Sequence, residues 1–307
     1  MNAPFTVMVP CSTSNLGPGF DSIGIALSGP DVMVRVTPGG DRLRITRLSG
    51  EGSDRLPMDA TNRVIQAAHH AAVDAGRDPA SLAAELEVHS SIPLKRGLGS
   101  SAAAALAGAL VADRLLDGAI GDRGVLRTAV EMEGHPDNVV PSLLGGAQIS
   151  VRDAEGHVLS CEIPIKPKLK AALYIPDQEL ATSAARAVLP REVPIEDAVF
   201  NLGRAALLVA ALAQGRTELL REAMEDRLHQ PARSGLLPWL PALLEGARSG
   251  GALGAALSGA GTTVCALCTA ETARAVAKAM MDAAAQQRVA GRAEVVDVAV
   301  EGARVVF

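Results

Sequence analysis

The chain has 307 residues, 48% of them hydrophobic but only 2% aromatic, and a formal net charge of −5 at pH 7. That length allows two domains, with cores built from Ala, Val, Leu and Ile. The acidic balance and the lack of a basic stripe exclude a nucleic-acid protein, because a phosphate backbone is neutralised by concentrated Lys and Arg. The longest uncharged run, between Arg248 and Glu271, holds five glycines and breaks up as a lipid-spanning helix would not. No charged region followed by an apolar stretch and a cleavage site opens the chain, so the expectation is a cytoplasmic enzyme.

In chain order, Val7 to Val9 predicts a strand that breaks at Pro10 and opens into a loop from Cys11 to Gly24. In that loop Asn15 and Asp21 flank Gly17-Pro-Gly19, so a rigid turn aims an amide and a carboxylate at one small ligand. Val32 to Val36 and Leu43 to Arg47 alternate polar and apolar residues, predicting antiparallel strands around a Pro38-Gly-Gly40 turn. Thr61 or Asn62 then caps a helix from about Arg63 to Ala75, closed by Gly76. Glu85 to His89 alternates again and reads as a half-buried strand.

The segment Pro93-Leu94-Lys95-Arg96-Gly97-Leu98-Gly99-Ser100-Ser101-Ala102-Ala103 carries the chemistry. A glycine loop runs into an Ala- and Leu-rich helix, with Ser100 or Ser101 as its expected N-cap. Unpaired amides and the positive end of the helix dipole make such a junction an anion site, and phosphate is the obvious guest. The serines add metal-binding oxygens, and Lys95 and Arg96 add charge. The common P-loop requires a Gly-Lys pair that this chain lacks. A dinucleotide fingerprint places its third glycine where Ala102 stands; alanine is tolerated there, so that reading stays open.

A helix from Val125 to Glu133 ends at Gly134. Residues two apart do not align on a helix, so only one of Glu131 and Glu133 faces a given cleft. His135-Pro-Asp137-Asn138 follows as a turn. The stretch Ile163-Pro-Ile-Lys-Pro-Lys-Leu-Lys170 marks a boundary between domains spanning 1–165 and 166–307. Beyond it the pattern predicts a strand at Ala171 to Ile175, a helix capped by Thr182, and helices at about Ile195–Ala213, Thr217–Leu228 and Leu236–Arg248. Gly254 to Val264 is a second glycine turn leading into a strand. Cys265-Ala-Leu-Cys268 lies in that strand without a second pair or a nearby His, so these cysteines read as structural rather than metal-binding. A helix at Thr272 to Ala285 and strands at Glu294–Val300 and Arg304–Phe307 complete the chain.

Pro93-x3-Gly-Leu-Gly-Ser-Ser-Ala-Ala resembles the phosphate-binding motif of the GHMP kinases, the superfamily of galactokinase, homoserine kinase and mevalonate kinase. Asn15-Leu-Gly-Pro-Gly-Phe-Asp21, His135-Pro-Asp-Asn138, Thr182-x3-Arg186 and His229-x-Pro-x-Arg233-x3-Leu-Pro resemble the homoserine kinase branch, with Cys11 where alanine is expected. Gly254 to Val264 resembles the third superfamily motif, which packs against the phosphate loop.

The resemblance implies an α+β fold, with an N-terminal domain like domain 2 of ribosomal protein S5 and a ferredoxin-like C-terminal domain. It implies ATP and Mg²⁺, and γ-phosphoryl transfer to the hydroxyl of L-homoserine. On that basis the nucleotide meets Pro93 through Ala103, Gly259 and, beside the adenine, Asn62; the metal meets Ser100 or Ser101 and Glu131 or Glu133. Arg186 and Arg233 clamp the substrate carboxylate near Thr182, while Asn15, Asp21 and Asn138 hold the ammonium and hydroxyl end. Asp137 is the first candidate base and Asp21 the second, though a loose transition state can dispense with one. Another small-molecule kinase of the superfamily and a non-catalytic metabolite sensor are the alternatives. The expected partner is a small molecule, not nucleic acid or membrane, and a homodimer is compatible with the pattern.

Overall fold

The computed structural model describes residues 3–166 and 168–307. Met1, Asn2 and Pro167, the last within the expected boundary stretch, lie outside the described residues. The first half runs β1 (Phe5–Asn15), β2 (Gly19–Pro38), β3 (Leu43–Gly50), α1 (Arg63–Asp74), β4 (Ala84–Ser90), α2 (Ser100–Leu115), α3 (Gly121–Glu133), α4 (Val139–Leu144), β5 (Ala147–Arg152) and β6 (Val158–Ile163). The second half runs β7 (Lys170–Pro176), α5 (Thr182–Ala187), α6 (Ile195–Gln214), α7 (Leu220–Ala223), α8 (Gln230–Ser234), α9 (Leu240–Ser249), β8 (Gly254–Leu257), β9 (Val264–Cys268), α10 (Ala273–Gln286), β10 (Gly291–Asp297) and β11 (Arg304–Val306).

Two sheets organise these elements. The first has the order β11-β1-β2-β4-β3, with β5 also on β2 and β6 on β5; the second has the order β10-β7-β9-β8. All pairs in the second sheet are antiparallel, and its strands stand fourth, first, third, second in chain order, which is the ferredoxin-like arrangement. The mixed α+β fold is the expected one. No helix among the described residues is long and apolar enough to cross a membrane.

Three local expectations change. β1 does not stop at Pro10 but continues to Asn15, and its register with β2 slips between Pro10 and Cys11. A proline is tolerated at such an irregularity because its missing N–H breaks no regular ladder. The strands at 32–36 and 43–47 are not partners: β4 lies between them, antiparallel to β2 and parallel to β3. Alternation tells which face of a strand is buried but not which strand lies beside it. The expected helix 217–228 shrinks to a tight turn and α7, after which the chain wraps around Asp226, and α9 begins at Leu240 with Pro241 in its first turn.

The core of the first half is formed by the inner faces of β1, β2 and β4 against α1, α2 and α3. α2 is buried on nearly all sides because its residues are small. A Cβ on Gly108 would stand 2.1 Å from the carbonyl oxygen of Val64, so α1 and α2 meet almost backbone to backbone. That contact fixes the start of α2 relative to Asn62 and Arg63. Cys265 and Cys268 sit buried in β9, where desolvation pushes their thiols up to about 12 and about 11. Both are free, as structural cysteines in a strand would be.

Candidate active site

One cleft collects residues from six places: the β1–β2 turn, the loop before α2, the end of α3 with the segment after it, helix α5, helix α8, and the β8–β9 turn. The glycine loop is shaped by backbone that only glycine adopts easily. Gly97 and Gly99 have φ of 74° and 70°, and a Cβ on Gly97 would stand 2.0 Å from the carbonyl oxygen of Ser258. Ser258 Oγ donates to the Gly97 carbonyl at 2.6 Å and Thr263 N–H to that of Arg96 at 3.1 Å. The β8–β9 turn therefore clamps the loop.

α2 starts with Gly99 as its N-cap and has no side-chain cap. Neither Ser100 nor Ser101 fills that expected role, because glycine holds the left-handed cap conformation itself. The first-turn amides thus lack a side-chain acceptor, which suits an anion. Lys95 remains largely exposed beside Glu179, 3.7 Å away. Arg96 is spent elsewhere: it donates to the carbonyls of Leu94, Pro176 and Asp177 at 2.9, 2.5 and 2.5 Å, staking the loop to the end of β7. Leu94 lies against Gly52, and Ala102 and Ala103 are fully buried, so these three shape the loop from behind.

The two glutamates separate as their spacing requires. Glu133 turns into the cleft, accepting from Ser101 Oγ at 2.6 Å and pairing with Arg63. Glu131 turns away and meets His70 Nε2 at 3.1 Å. Hard oxygen donors on Ser100, Ser101 and Glu133 beside open amides are the donor set Mg²⁺ accepts. Asn62 lies outside this cleft: its Oδ1 caps α1 by accepting from Val64 N–H at 3.0 Å, and its amide donates to the Pro57 carbonyl at 2.7 Å. Both ends of that side chain are engaged in local structure, so the helix-capping role is the one the structure places on Asn62.

At the other end of the cleft Asp21 and Arg186 form a two-pronged ion pair at 2.7 and 3.0 Å. Asn15 is a strut, its amide donating to the Gly259 carbonyl at 2.8 Å and its Oδ1 accepting from Asp21 N–H at 3.1 Å. Asn138 is likewise tied to β1, accepting from Ser14 Oγ at 3.2 Å and donating to Ser12 Oγ at 3.1 Å. Asn15, Leu16 and Asp21 hold φ of 71°, 48° and 55°, a left-handed cluster that non-glycine residues adopt at a cost of about 1–3 kcal/mol each. Thr182 is the first residue of α5 and reaches the cleft; Ala181, not Thr182, is the N-cap. Asp137 is buried and meets His135 Nδ1 at 2.5 Å.

Arg233 is the most unusual group here. It is 1% exposed, and among the described residues no carboxylate lies within ion-pair distance of it. Its guanidinium donates to the Gly259 carbonyl at 2.9 Å and to His229 Nδ1 at 3.1 Å. Burial first, and then the charge of Arg186, press its pKa down to about 10. The Phe20 ring lies 5.4 Å from Arg233 and 5.6 Å from Arg186, within cation–π range of both. A buried cation without its own anion favours an anionic ligand.

The model of the GHMP kinases N terminal domain matches residues 62–146, and that of the GHMP kinases C terminal domain matches 208–286. A homoserine kinase of Deinococcus radiodurans is 47% identical over 262 residues, covering 85% of this chain and 83% of that protein. This chain belongs to the GHMP kinases, in the homoserine kinase family. A homoserine kinase of Moorella thermoacetica is 43% identical, with 85% of this chain and 86% of that protein covered. The crystal structure of homoserine kinase from Cytophaga hutchinsonii superposes with a TM-score of 0.90 at 31% identity, over 100% of this chain and 98% of that one. The mevalonate kinase of L. major, at 16% identity and a TM-score of 0.70, shares the fold.

In this GHMP kinase, three residues in or behind the cleft have parts that their local sequence does not announce. Phe20 is by sequence only part of a turn, yet it lies against both arginines. His135, turn chemistry by sequence, lines the cleft as the partner of Asp137. His229 is buried behind the cleft; its spacing of four residues from Arg233 puts both on one face of a helical turn, which is the signal the sequence carries.

Proposed function

We propose that this chain transfers the γ-phosphoryl group of ATP to the hydroxyl of L-homoserine, giving O-phospho-L-homoserine in threonine biosynthesis. The observation that carries the reading is that one cleft joins an uncapped helix N-terminus at α2 to a buried arginine, Arg233, that lacks a carboxylate partner. The first end suits the phosphates of a nucleotide, the second the carboxylate of an amino acid.

Phosphoryl transfer asks a protein mainly for positioning and for positive charge around the transferring group. The Gly97–Ser101 amides and the dipole of α2 receive the phosphates. Ser100, Ser101 and Glu133 would hold Mg²⁺, which when bound shares its charge with phosphate oxygens. Arg186 and Arg233 take the substrate carboxylate in the bidentate manner that suits a guanidinium. Asp21 takes the ammonium.

A zwitterion can open the Asp21–Arg186 pair and leave neither charge unsatisfied, because it brings one of each sign. Galactose brings no charge, and mevalonate brings a carboxylate without an ammonium. Asp137 faces the acceptor end, where it orients the hydroxyl; with a loose transition state the proton can leave late to a phosphate oxygen.

The test is Mg²⁺-dependent ADP release from ATP with L-homoserine, mevalonate, galactose and L-threonine offered separately. Turnover with homoserine alone is the expected result. Turnover only with another alcohol overturns the substrate, and ATP binding without turnover on any of them makes the chain a sensor.

A further inference from the structure

We propose that His229 is a positioning residue for the acceptor substrate: its Nδ1 holds Arg233 aligned toward the cleft while its Nε2 locks the β1–β2 turn that carries Asp21. This inference rests on the homoserine reading and assigns a role to a group that the phosphate chemistry does not use.

The tautomer follows from the partners. Arg233 Nη1 can only donate, so Nδ1 of His229, at 3.1 Å, must present its lone pair. The Gly17 carbonyl can only accept, so Nε2, at 2.8 Å, carries the hydrogen. The Arg233 contact needs the neutral ring, since a protonated Nδ1 can only donate, and burial, the largest influence, pushes the imidazole pKa down. Asp226, 3.5 Å from Nε2, acts in the opposite direction. Its carboxylate is already occupied by the N–H groups of Leu228, His229 and Gln230 and by the amide of Asn201, so it supports the backbone rather than a charged ring.

The imidazole is fully buried and stacks on Phe20 at 5.1 Å. Phe20 in turn lies beside both Arg186 and Arg233. One ring thus connects the carboxylate-binding arginine to the turn bearing Asp21, so the two charges meant for a zwitterion are held at a fixed spacing.

Two substitutions separate the two contacts. In His229→Asn the amide oxygen can stand where Nδ1 stood, keeping the acceptor for Arg233 and losing Gly17. In His229→Gln the terminal amide can stand where Nε2 stood, keeping Gly17 and leaving Arg233 held only by the carbonyls of Gly259 and Ala185. A hydrogen bond to a charged group is worth about 1.5–3 kcal/mol, or roughly 10- to 150-fold. The expected result is that KM for homoserine rises by about that factor in His229→Gln, with kcat and KM for ATP nearly unchanged, and that His229→Asn restores most of the KM.

In an Arg233→Ala background, His229→Gln should add little further change in KM, because its effect passes through Arg233. A fall in melting temperature and kcat with KM for homoserine unmoved, or equal KM losses in both variants, overturns the assignment. If His229→Gln does not fold, His229→Asn decides alone: KM near wild type upholds the role of the acceptor and a large rise refutes it. Wild-type protein inactive on homoserine would instead refute the substrate reading itself.

Discussion

The carboxylate of Asp137 meets Nδ1 of His135 at 2.5 Å inside the cleft. Burial acts most strongly on His135 and would lower its pKa, but the hydrogen bond and charge of Asp137 outweigh it and hold the imidazole above its ordinary 6.5. A group raised in the folded state stabilises the fold at low pH. The contribution of the pair is therefore full below about pH 6.5 and fades as pH rises through the raised value of His135. Urea unfolding of wild type and Asp137→Asn at a series of pH values should show the gap between them narrowing across that window; a constant gap refutes the pairing. In turnover, a general base contributes about 10²- to 10⁴-fold. On the proposed orienting role, Asp137→Asn should lose less than about 10²-fold in kcat at saturating homoserine, and a larger loss would make Asp137 the base.

Among the elements, the glycine loop and the β8–β9 turn behave as one unit. Gly97 lies against the Ser258 carbonyl, and Ser258 Oγ returns a hydrogen bond to Gly97. Gly97→Ala meets both a left-handed backbone and a rigid main-chain atom. It should destabilise the protein by at least about 1–3 kcal/mol, read by denaturant unfolding, and raise KM for ATP, while KM for homoserine changes less. Neither the clash nor Gly259 beside Ser14 could be read from spacing, since 161 residues separate Gly97 from Ser258. The glycines themselves were legible as a loop. Their partner across the cleft was not.

At the scale of the molecule, the chain closes on its own beginning: β11 pairs antiparallel with β1, matching Val7 with Val305. The C-terminal strand thus belongs to the first sheet, although it follows the last strand of the second. Phe307 adds a cation–π contact with Arg114 of α2, at 4.7 Å. Truncation after Ala303 leaves one side of β1 unpaired, and β1 continues directly into Asn15 of the cleft. The truncated protein should melt several degrees lower, at roughly 2–4 °C per kcal/mol lost, and aggregate more readily through the open edge. An unchanged melting temperature would show that β11 is dispensable.

The chemistry that the sequence determined by itself is local chemistry. A glycine loop entering an Ala-rich helix, an Asn and an Asp around Gly-Pro-Gly, and two glutamates of which one must turn away all depend on residues near each other in the chain. Backbone preference and helical period act over a few residues, so they can be read there. What only the tertiary structure decided is who meets whom over long separations. It set β4 between β2 and β3, joined Asp21 to Arg186 across 165 residues, tied up Arg96, Asn15 and Asn138 in holding the cleft, and left Arg233 as the buried cation. Long side chains find partners by packing, and the burial that sets their charge exists only once both halves of the chain have closed around the cleft.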